Sequence, residues 1–561
     1  MNLAEGPLPW FKKCPQLYKK QCDILEAAGF SLEKEPLEQE ERIEFTGSLK
    51  CDPARRLLVR FPNSFPSAAP KVFDTPASKL LIRHHRMDSR QLCLFGFKEC
   101  RWSATLSVDA ALAEAALLIT QFPPGTTITT EEVPEPITRS LTYAQPAVVL
   151  VPPPIADFAG FDKLNAAHGT FRITFLNEGD LKKEIRGRGI ISAAAFGNEN
   201  LAWIAPFSSY FPKHTDDYLG EWFFLKQSPT HENIGEVVNK CISQAKTFKK
   251  DRPYWLALIF HEEMGNSKQT RLTWLIVRAN LAGRSYPIRT YQYIRSERFV
   301  RNPRLTKLRD CRVTIIGCGS LGSKIATNLA ATGVSKLRLV DCEPCEPMNS
   351  VRHEVGVDFF GCPKAPALRN RLCSINPEVF QDSTVTMLQV GAMCPFNQER
   401  ELYKVLKDSD LVVDATAVHS VSHYLNELSF DFGLPLIAAS VTGGAWGGEI
   451  VRSIPGKTPC WLCWLEQYYE AKASSAPPGE GEVFAPGCDQ PTFVGATHEV
   501  GMVANLATSL IIDTLIGPTD VAKNYIRWNG RDSRGIPIYS TELLPISKRE
   551  NCYLCGSQYA V

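Results

Sequence analysis

The 561-residue chain predicts a multidomain α/β protein. Three observations carry that expectation: its length, a strand-turn-helix-strand pattern in the C-terminal half, and an alternating strand pattern with flanking helices in the N-terminal third. A chain this long exceeds what one core organises, and the expected divisions are 1–145, 146–294 and 295–561. Hydrophobic content of 44% and charged content of 22% are ordinary for globular domains. A formal net charge of +2 provides no field for bulk nucleic-acid or membrane binding, so neither is an expected partner. No apolar run reads as membrane-spanning, and the opening MNLAEGPLPWFKK lacks a signal-peptide core. With 18 cysteines and no such core, reduced thiols, metal ligands or nucleophiles are expected rather than disulfides, and the compartment is read as cytoplasmic.

In chain order, residues 15–29 (PQLYKKQCDILEAAG) read as an amphipathic helix ending at Gly29. RIEFTGSLKC and RLLVRFP then alternate like antiparallel strands, and RFPNSFPSAAPKVF packs prolines 62, 66 and 70 between aromatics as a rigid extended loop. A His-rich loop with His84 and His85 leads to Cys93 between two leucines, and Trp102-Ser-Ala-Thr-Leu heads a helix-like run to Thr120. The order FP-x-x-F-P-x-x-x-P-K-V, His-rich loop, L-C-L and Trp-Ser resembles the ubiquitin-conjugating fold, an α+β domain, over residues 1–140. The resemblance implies that Cys93 is a thioester cysteine; the competing reading is a buried structural thiol. The family's His-Pro-Asn is absent, and the neighbouring histidines are the groups that could donate to an oxyanion in its place.

Pro146, Pro152, Pro153 and Pro154 read as a semi-rigid linker. Beyond it, TFRITFL, IISAAAF, LAWIAPF and YWLALIF read as strands of an independent α/β domain, the last paired with RLTWLIV as a hairpin. The expected role of this part is a spacer or a dimer surface.

From Val313 the chain reads VTIIGCGSLGSKIATNLAATGVSKLRLVD: an apolar run, Gly317-x-Gly319-x-x-Gly322, a helical pattern, and a second apolar run ending at Asp341. The glycines allow a phosphate to approach the backbone at a helix N-terminus. That fingerprint alone is shared by several nucleotide-using classes. Asn349, Arg352, Lys364 and Asp414, the last at the end of the apolar run Leu411 to Val413, suit a triphosphate with magnesium better than a dinucleotide. The pattern D-x-[DE]-x-x-x-x-x-N-x-x-R, then Lys, then Asp after an apolar run, resembles the Rossmann-like adenylation domain of the ThiF, MoeB and ubiquitin-activating family, with Glu343 where Asp is usual. Arg298 and Arg301 in ERFVRN resemble that family's opening motif, whose second arginine reaches the nucleotide of a partner subunit, which implies a homodimer.

Cys460-x-x-Cys463 and Cys552-x-x-Cys555 supply four thiols in two knuckles, enough for a tetrahedral zinc site, with a redox pair as the alternative. The stretch 470–487 is small, polar and rich in Pro and Gly, which predicts a mobile loop, and it ends at Cys488 before a helical pattern. The resemblance places Cys488 as the thiol of the family's crossover loop, here 470–493.

Both ends together resemble bacterial fusions of conjugating and activating enzymes found in CBASS anti-phage operons. The resemblance implies use of ATP with Mg2+ and structural Zn2+, and adenylation of a protein C-terminal carboxylate. It also implies capture on Cys488, transfer to Cys93 and ligation to an amine on a target protein or small molecule. The activated partner implied is a cGAS-like nucleotidyltransferase. Other bacterial ubiquitin-like systems, a sulfur-carrier adenylyltransferase and a non-enzymatic scaffold remain the alternatives.

Overall fold

The computed structural model describes residues 9–34, 43–62, 64–75, 90–92, 94, 102–121, 138, 141, 143, 147–164, 167–176, 187–202, 215–230, 233–245, 254–263, 270–279, 285–390, 396–470, 483–484, 491–492, 494–517 and 520–556. They form two compact units, Met1–Trp203 with Pro212–Tyr293, and Ile204–Phe211 with Ile294–Val561.

In the first unit, helix Pro15–Ala27 precedes a sheet of four strands in sequential antiparallel order, Ser31–Lys34, Ile43–Leu49, Asp52–Phe61 and Lys71–Asp74. The helix stops as its sequence dictates, with Gly29 at φ +85° where a side chain would strain the backbone. A second helix, Val108–Gln121, begins six residues after Trp102, later than the sequence pattern suggests. Trp102 is diverted to the prolines, its Nε1 donating to the Pro66 carbonyl at 2.8 Å, and the Gln21 side chain accepts the Val108 N–H at 2.8 Å, joining the two helices. Leu25, Phe45, Phe61, Val72 and Leu112 share one core. Cys93, His84 and His85 lie outside the described residues. The preceding Leu92 is buried and donates its N–H to Val72 at 2.8 Å.

The proline-marked stretch is not a linker. Ala147–Val151 is a strand with Val149 and Val151 fully buried, and Pro152 and Pro153 are buried after it. It pairs in parallel with both Ser285–Gln292 and Gly187–Phe196, which closes a sheet whose other strands are Thr270–Ala279, Tyr254–Glu263, Thr215–Phe224 and His168–Leu176. The expected α/β domain is therefore a seven-stranded closed barrel, with Glu199–Ala202 appended and one α-helix, Ile234–Gln244, among its described residues. The hairpin of Tyr254–Glu263 with Thr270–Ala279 is present. Alternation explains the closure: Leu256, Leu258 and Phe260 pack with Val238 and Cys241 of the helix, while Trp255 of the opposite face meets Phe175. Glu262, buried in the barrel wall, accepts the Thr138 N–H at 2.8 Å and hydroxyl at 2.7 Å, tying the chain before the barrel to it.

In the second unit, five parallel strands run in the order Thr384–Thr386, Lys336–Val340, Arg312–Ile316, Leu411–Asp414, Leu436–Val441, extended antiparallel by Gly447–Ser453, Tyr525–Arg531 and Pro537–Leu544. Period-two alternation splits the strands between two cores. Val313, Ile315, Leu411 and Val413 join helices Ser320–Thr332 and Thr497–Ile516 on one face; Ile316 and Val412 join helices Phe396–Lys407 and His419–Phe432 on the other. The sequence reading found no run of spanning length, yet Thr497–Ile516 is long and apolar enough to cross a bilayer, with a mean hydropathy of 1.4. Its Val500, Val503, Ala504, Ala507 and Ile511 are instead fully buried in the first of these cores, which accounts for the apolar composition.

Val149→Asp separates a barrel strand from a linker. A buried unpaired carboxylate should destabilise the barrel by about 3–5 kcal/mol, read as a lowered urea midpoint in tryptophan fluorescence, whereas an exposed linker would leave the midpoint unchanged.

Candidate nucleotide site

The order of the parallel strands reverses between Arg312–Ile316 and Leu411–Asp414: the chain leaves the first toward one edge and returns through the second toward the other. Crevices at the C-terminal ends of strands around such a reversal are where open α/β sheets bind ligands. Gly317 takes φ +87°, and a Cβ there would stand 3.1 Å from the Ala415 backbone. Gly322 is tighter, since a Cβ would stand 1.9 Å from the Gly317 carbonyl oxygen. Gly319 caps helix Ser320–Thr332 with open space where its Cβ would be, leaving the helix's positive end accessible.

Asp341 braces this loop. Its Oδ2 accepts the Cys318 N–H at 2.7 Å and its Oδ1 the Glu343 N–H at 2.8 Å. Burial pushes its carboxyl up, against the pull of these two amides and of Lys364. Lys364 is buried at the start of helix Lys364–Ile375, and its ammonium is ion-paired with Glu343. Burial alone would lower it, but the hydrogen bond and charge of Glu343, with Asp341 and Glu346, hold it raised and cationic. Arg352 donates from Nε to the Ser320 hydroxyl at 2.8 Å, which brings a guanidinium to the helix N-terminus, and burial lowers its pKa. Asn349 caps its own turn, Pro347–Val351, accepting the Glu346 N–H at 3.1 Å.

Asp414 is almost wholly buried, pairs with Ile316 across the strands, and accepts from the Thr416 N–H at 3.0 Å, the Thr416 hydroxyl at 2.7 Å and the Ser422 hydroxyl. Burial raises its pKa despite these donors. The structure thus brings Gly317, Gly319, Gly322, Asp341, Glu343, Arg352, Lys364 and Asp414 to one end of the sheet. Arg301 is exposed just before the turn Pro303–Asp310, while Arg298 donates to the Ala330 and Ile375 carbonyls at 3.0 and 3.2 Å as a brace. Cys488 lies outside the described residues.

Two residues of the site carried no sequence signature. His353 is buried, with Nε2 2.6 Å from the Cys318 carbonyl and Nδ1 accepting the Val355 N–H at 3.1 Å, so Nε2 carries the proton and the ring is neutral. Lys324 joins Glu354 Oε1 and Thr497 Oγ1, each at 2.7 Å, linking the glycine-loop helix to the segment after Arg352 and to the long helix.

The sulfurs of Cys460, Cys463, Cys552 and Cys555 lie within 4.8 Å of one another, a cluster that could hold a metal ion such as zinc. Three of the separations are 3.9, 3.5 and 3.4 Å. A tetrahedron with Zn–S bonds of about 2.3 Å has edges of about 3.8 Å, close to these three separations.

Residues 293–554 match the model of the ThiF family, which marks this part of the chain as a ThiF-type, E1-like domain. Among related proteins, the uncharacterized protein y4oA of Sinorhizobium fredii (strain NBRC 101917 / NGR234) is 25% identical over 543 residues, 88% of each chain. The sulfur carrier protein ThiS adenylyltransferase of Bacillus subtilis (strain 168) is 29% identical over 163 residues, 28% of this chain and 45% of that protein. The ATP-dependent ubiquitin transferase-like protein Cap2 of Enterobacter hormaechei subsp. hoffmannii (strain UCI 50) is 26% identical over 233 residues, 41% of this chain and 37% of that protein.

Burial lowers the His353 pKa below 6.5, outweighing the hydrogen bond to Cys318 that would raise it. The unfolded chain therefore takes up this proton first, so the His353 contribution is complete above pH 6.5 and is lost as pH falls below it. The second unit's thermal midpoint should fall between pH 7.5 and 5.5, and His353→Gln should lower the midpoint at pH 7.5 while flattening its pH dependence, as differential scanning calorimetry would read.

Proposed function

We propose that this chain adenylates the C-terminal carboxylate of a protein and passes the acyl group through two of its own cysteines to an amine. The observation that carries the reading is the open helix N-terminus at Gly319, flanked by Arg352, Lys364 and Asp414 at the strand reversal, within the segment that matches the ThiF family. A carboxylate is a poor electrophile until it carries a good leaving group. Its oxygen attacks the α-phosphorus of ATP, expelling pyrophosphate and leaving an acyl adenylate. Lys364 and Arg352 supply charge to the phosphates, and the helix N-terminus supplies donors. Asp414 has three of its roughly four acceptor positions filled by Thr416 and Ser422, so it suits a water of magnesium's hydration shell rather than direct ligation.

The Cys488 thiolate attacks the acyl carbon, releasing AMP, and the Cys93 thiolate takes the acyl group from that thioester. An amine of a target protein or small molecule then attacks Cys93's thioester and yields an amide. The N-terminal helix, four-stranded sheet and later helix support a conjugating-enzyme-like role for residues 1–145. The partial likeness to Cap2, an ATP-dependent ubiquitin transferase-like protein by name, supports the acyl-transfer part of the reading, and an anti-phage setting with a cGAS-like nucleotidyltransferase as the activated partner is proposed from the sequence resemblance. A homodimer is part of the reading, with the exposed Arg301 offered to the partner subunit's nucleotide. The second reading is a sulfur-carrier adenylyltransferase, favoured by the likeness to the ThiS enzyme, and it leaves Cys93 idle.

Pyrophosphate exchange with the protein substrate present should fall by at least about a hundredfold in Asp414→Ala, which removes an acidic group at the reacting phosphates. Lys364→Ala should lose about tenfold to a hundredfold, the worth of one charged phosphate contact. Undiminished exchange in Asp414→Ala would put the nucleotide elsewhere.

The thiols are separated by order of transfer, since each is loaded only from the step before it. Cys488→Ala should make adenylate and no thioester. Cys93→Ala should keep a reducible thioester on Cys488 and form no conjugate, as non-reducing gels would display; conjugation by Cys93→Ala would favour the sulfur-carrier reading.

The four-cysteine cluster should hold one structural zinc per chain by elemental analysis. Cys463→Ser should lose the metal and lower the second unit's thermal midpoint, because metal binding and folding are coupled. Native protein without zinc would remove this part of the reading.

A further inference from the structure

The segments carrying Glu343 and Lys364 form a small antiparallel ladder of their own. Pro344 and Pro363 are bridge partners, the Cys345 N–H donates to the Cys362 carbonyl at 2.8 Å, and the Lys364 N–H donates to the Glu343 carbonyl at 2.8 Å. In that pattern the prolines are the non-hydrogen-bonded pair, with Cys345 opposite Cys362 and Glu343 opposite Lys364. Residues two apart on a strand share a face, so the two thiols stand beside the Glu343–Lys364 ion pair while the exposed prolines occupy the other side. Cys345 and Cys362 share one hydrogen bond, and Gly361, at φ +80°, donates the second to the Cys345 carbonyl at 2.9 Å, a bulge that leaves the two cysteines opposed at roughly the 5.5 Å of a hydrogen-bonded pair, inside the range of about 4.4–6.8 Å that a disulfide spans. Cys345 is buried with Val355, Ala367 and Phe359, and Cys362 is exposed.

We propose that Cys345 and Cys362 are a modification site: a reversible disulfide that forms on exposure to a peroxide and restrains Lys364. The exposed Cys362 thiolate attacks one peroxide oxygen, breaking the O–O bond to give a sulfenic acid and one water. The Cys345 sulfur then attacks the sulfenyl sulfur, forming the S–S bond, and the expelled hydroxide takes up the Cys345 proton as the second water. Two thiols are oxidised, one peroxide is reduced to two waters, and a dithiol reductant reverses the bond. The crosslink joins the residue two before Lys364 to the residue two after Glu343. It fixes the ladder, holds the ammonium on Glu343 and keeps it from a phosphate. This consequence rests on the adenylation reading; the disulfide itself does not. Cys342, also exposed but outside the paired residues of the ladder, is the control.

The test uses the full chain, reduced and then exposed to hydrogen peroxide. Non-reducing peptide mapping should recover a Cys345–Cys362 linked peptide, and pyrophosphate exchange should fall by about tenfold, the worth of one charged phosphate contact, and return with dithiothreitol. Cys362→Ser should exchange normally when reduced and resist peroxide, while Cys342→Ser should lose exchange as the parent does. ATP binding by calorimetry, weaker in the oxidised form, gives a readout should no substrate support exchange, so failure of the adenylation reading is told apart from failure of the disulfide. Three results overturn the proposal. One is the absence of the linked peptide while other cysteines oxidise; another is a linked peptide with exchange and ATP binding both unaltered. The third is a loss of exchange that tracks zinc release and persists in Cys362→Ser.

Discussion

The candidate site depends on one close approach, the backbone after Ile316 lying against the backbone after Asp414. Ala415 donates its N–H to Ile316 at 2.9 Å, and Gly317 turns with no room for a side chain against Ala415. The helix that follows can then start directly above the strand, because Gly322 lies on the Gly317 carbonyl. Every other feature of the site takes its place from this. Asp341 binds the Cys318 amide, His353 binds the Cys318 carbonyl, and Arg352 reaches Ser320, so two segments distant in sequence, at Asp341 and at Arg352–His353, are pinned to the loop at Cys318 and Ser320. A polar backbone exposed by a tight turn is thereby satisfied on all sides except the one facing the open helix end.

What the sequence made legible follows this constraint. Glycines at fixed offsets, an acid at the end of the next strand and an apolar run before Asp414 are consequences of backbone geometry, and geometry leaves local patterns. The paired C-x-x-C knuckles were legible for the same reason, since metal-ligand spacing is written within a single turn. His353 and Lys324 left no pattern, because each makes contacts distant in sequence, His353 with Cys318 and Lys324 with Thr497. Asp414 was found, but its surroundings were not: the hydroxyls of Thr416 and Ser422 come from the next turn and the next helix, and nothing in their spacing announces that they occupy the carboxylate.

The barrel shows where composition misleads. Prolines 152 to 154 suggested a linker because proline cannot join a ladder from within. Here they sit just past the strand's end, and the strand itself, Ala147–Val151, is only five residues long, too short to outweigh them in a window. Closure of the sheet is a non-local property. Whether a strand's two neighbours come from 187–196 and 285–292 cannot be read from alternation, which gives the inward face but not the partner. The same closure explains the aromatic content of this part. A barrel of seven strands encloses a narrow volume, and Phe175, Phe196, Trp222, Trp255 and Trp274, in ring contact with one another or with their neighbours, fill it.

The barrel also removes the tether that composition suggests at 146–154. A flexible tether raises local concentration by an amount set by its length, and a linker at 146–154 would be such a tether. Instead Ala147–Val151 is a barrel strand, and Thr138 is bound to Glu262 of another strand of the same barrel. The remaining connection between helix Val108–Gln121 and Thr138 is residues 122–137, and sixteen residues reach at most about 55 Å. A tether placed at 146–154 by composition is thus replaced by a strand with two parallel neighbours.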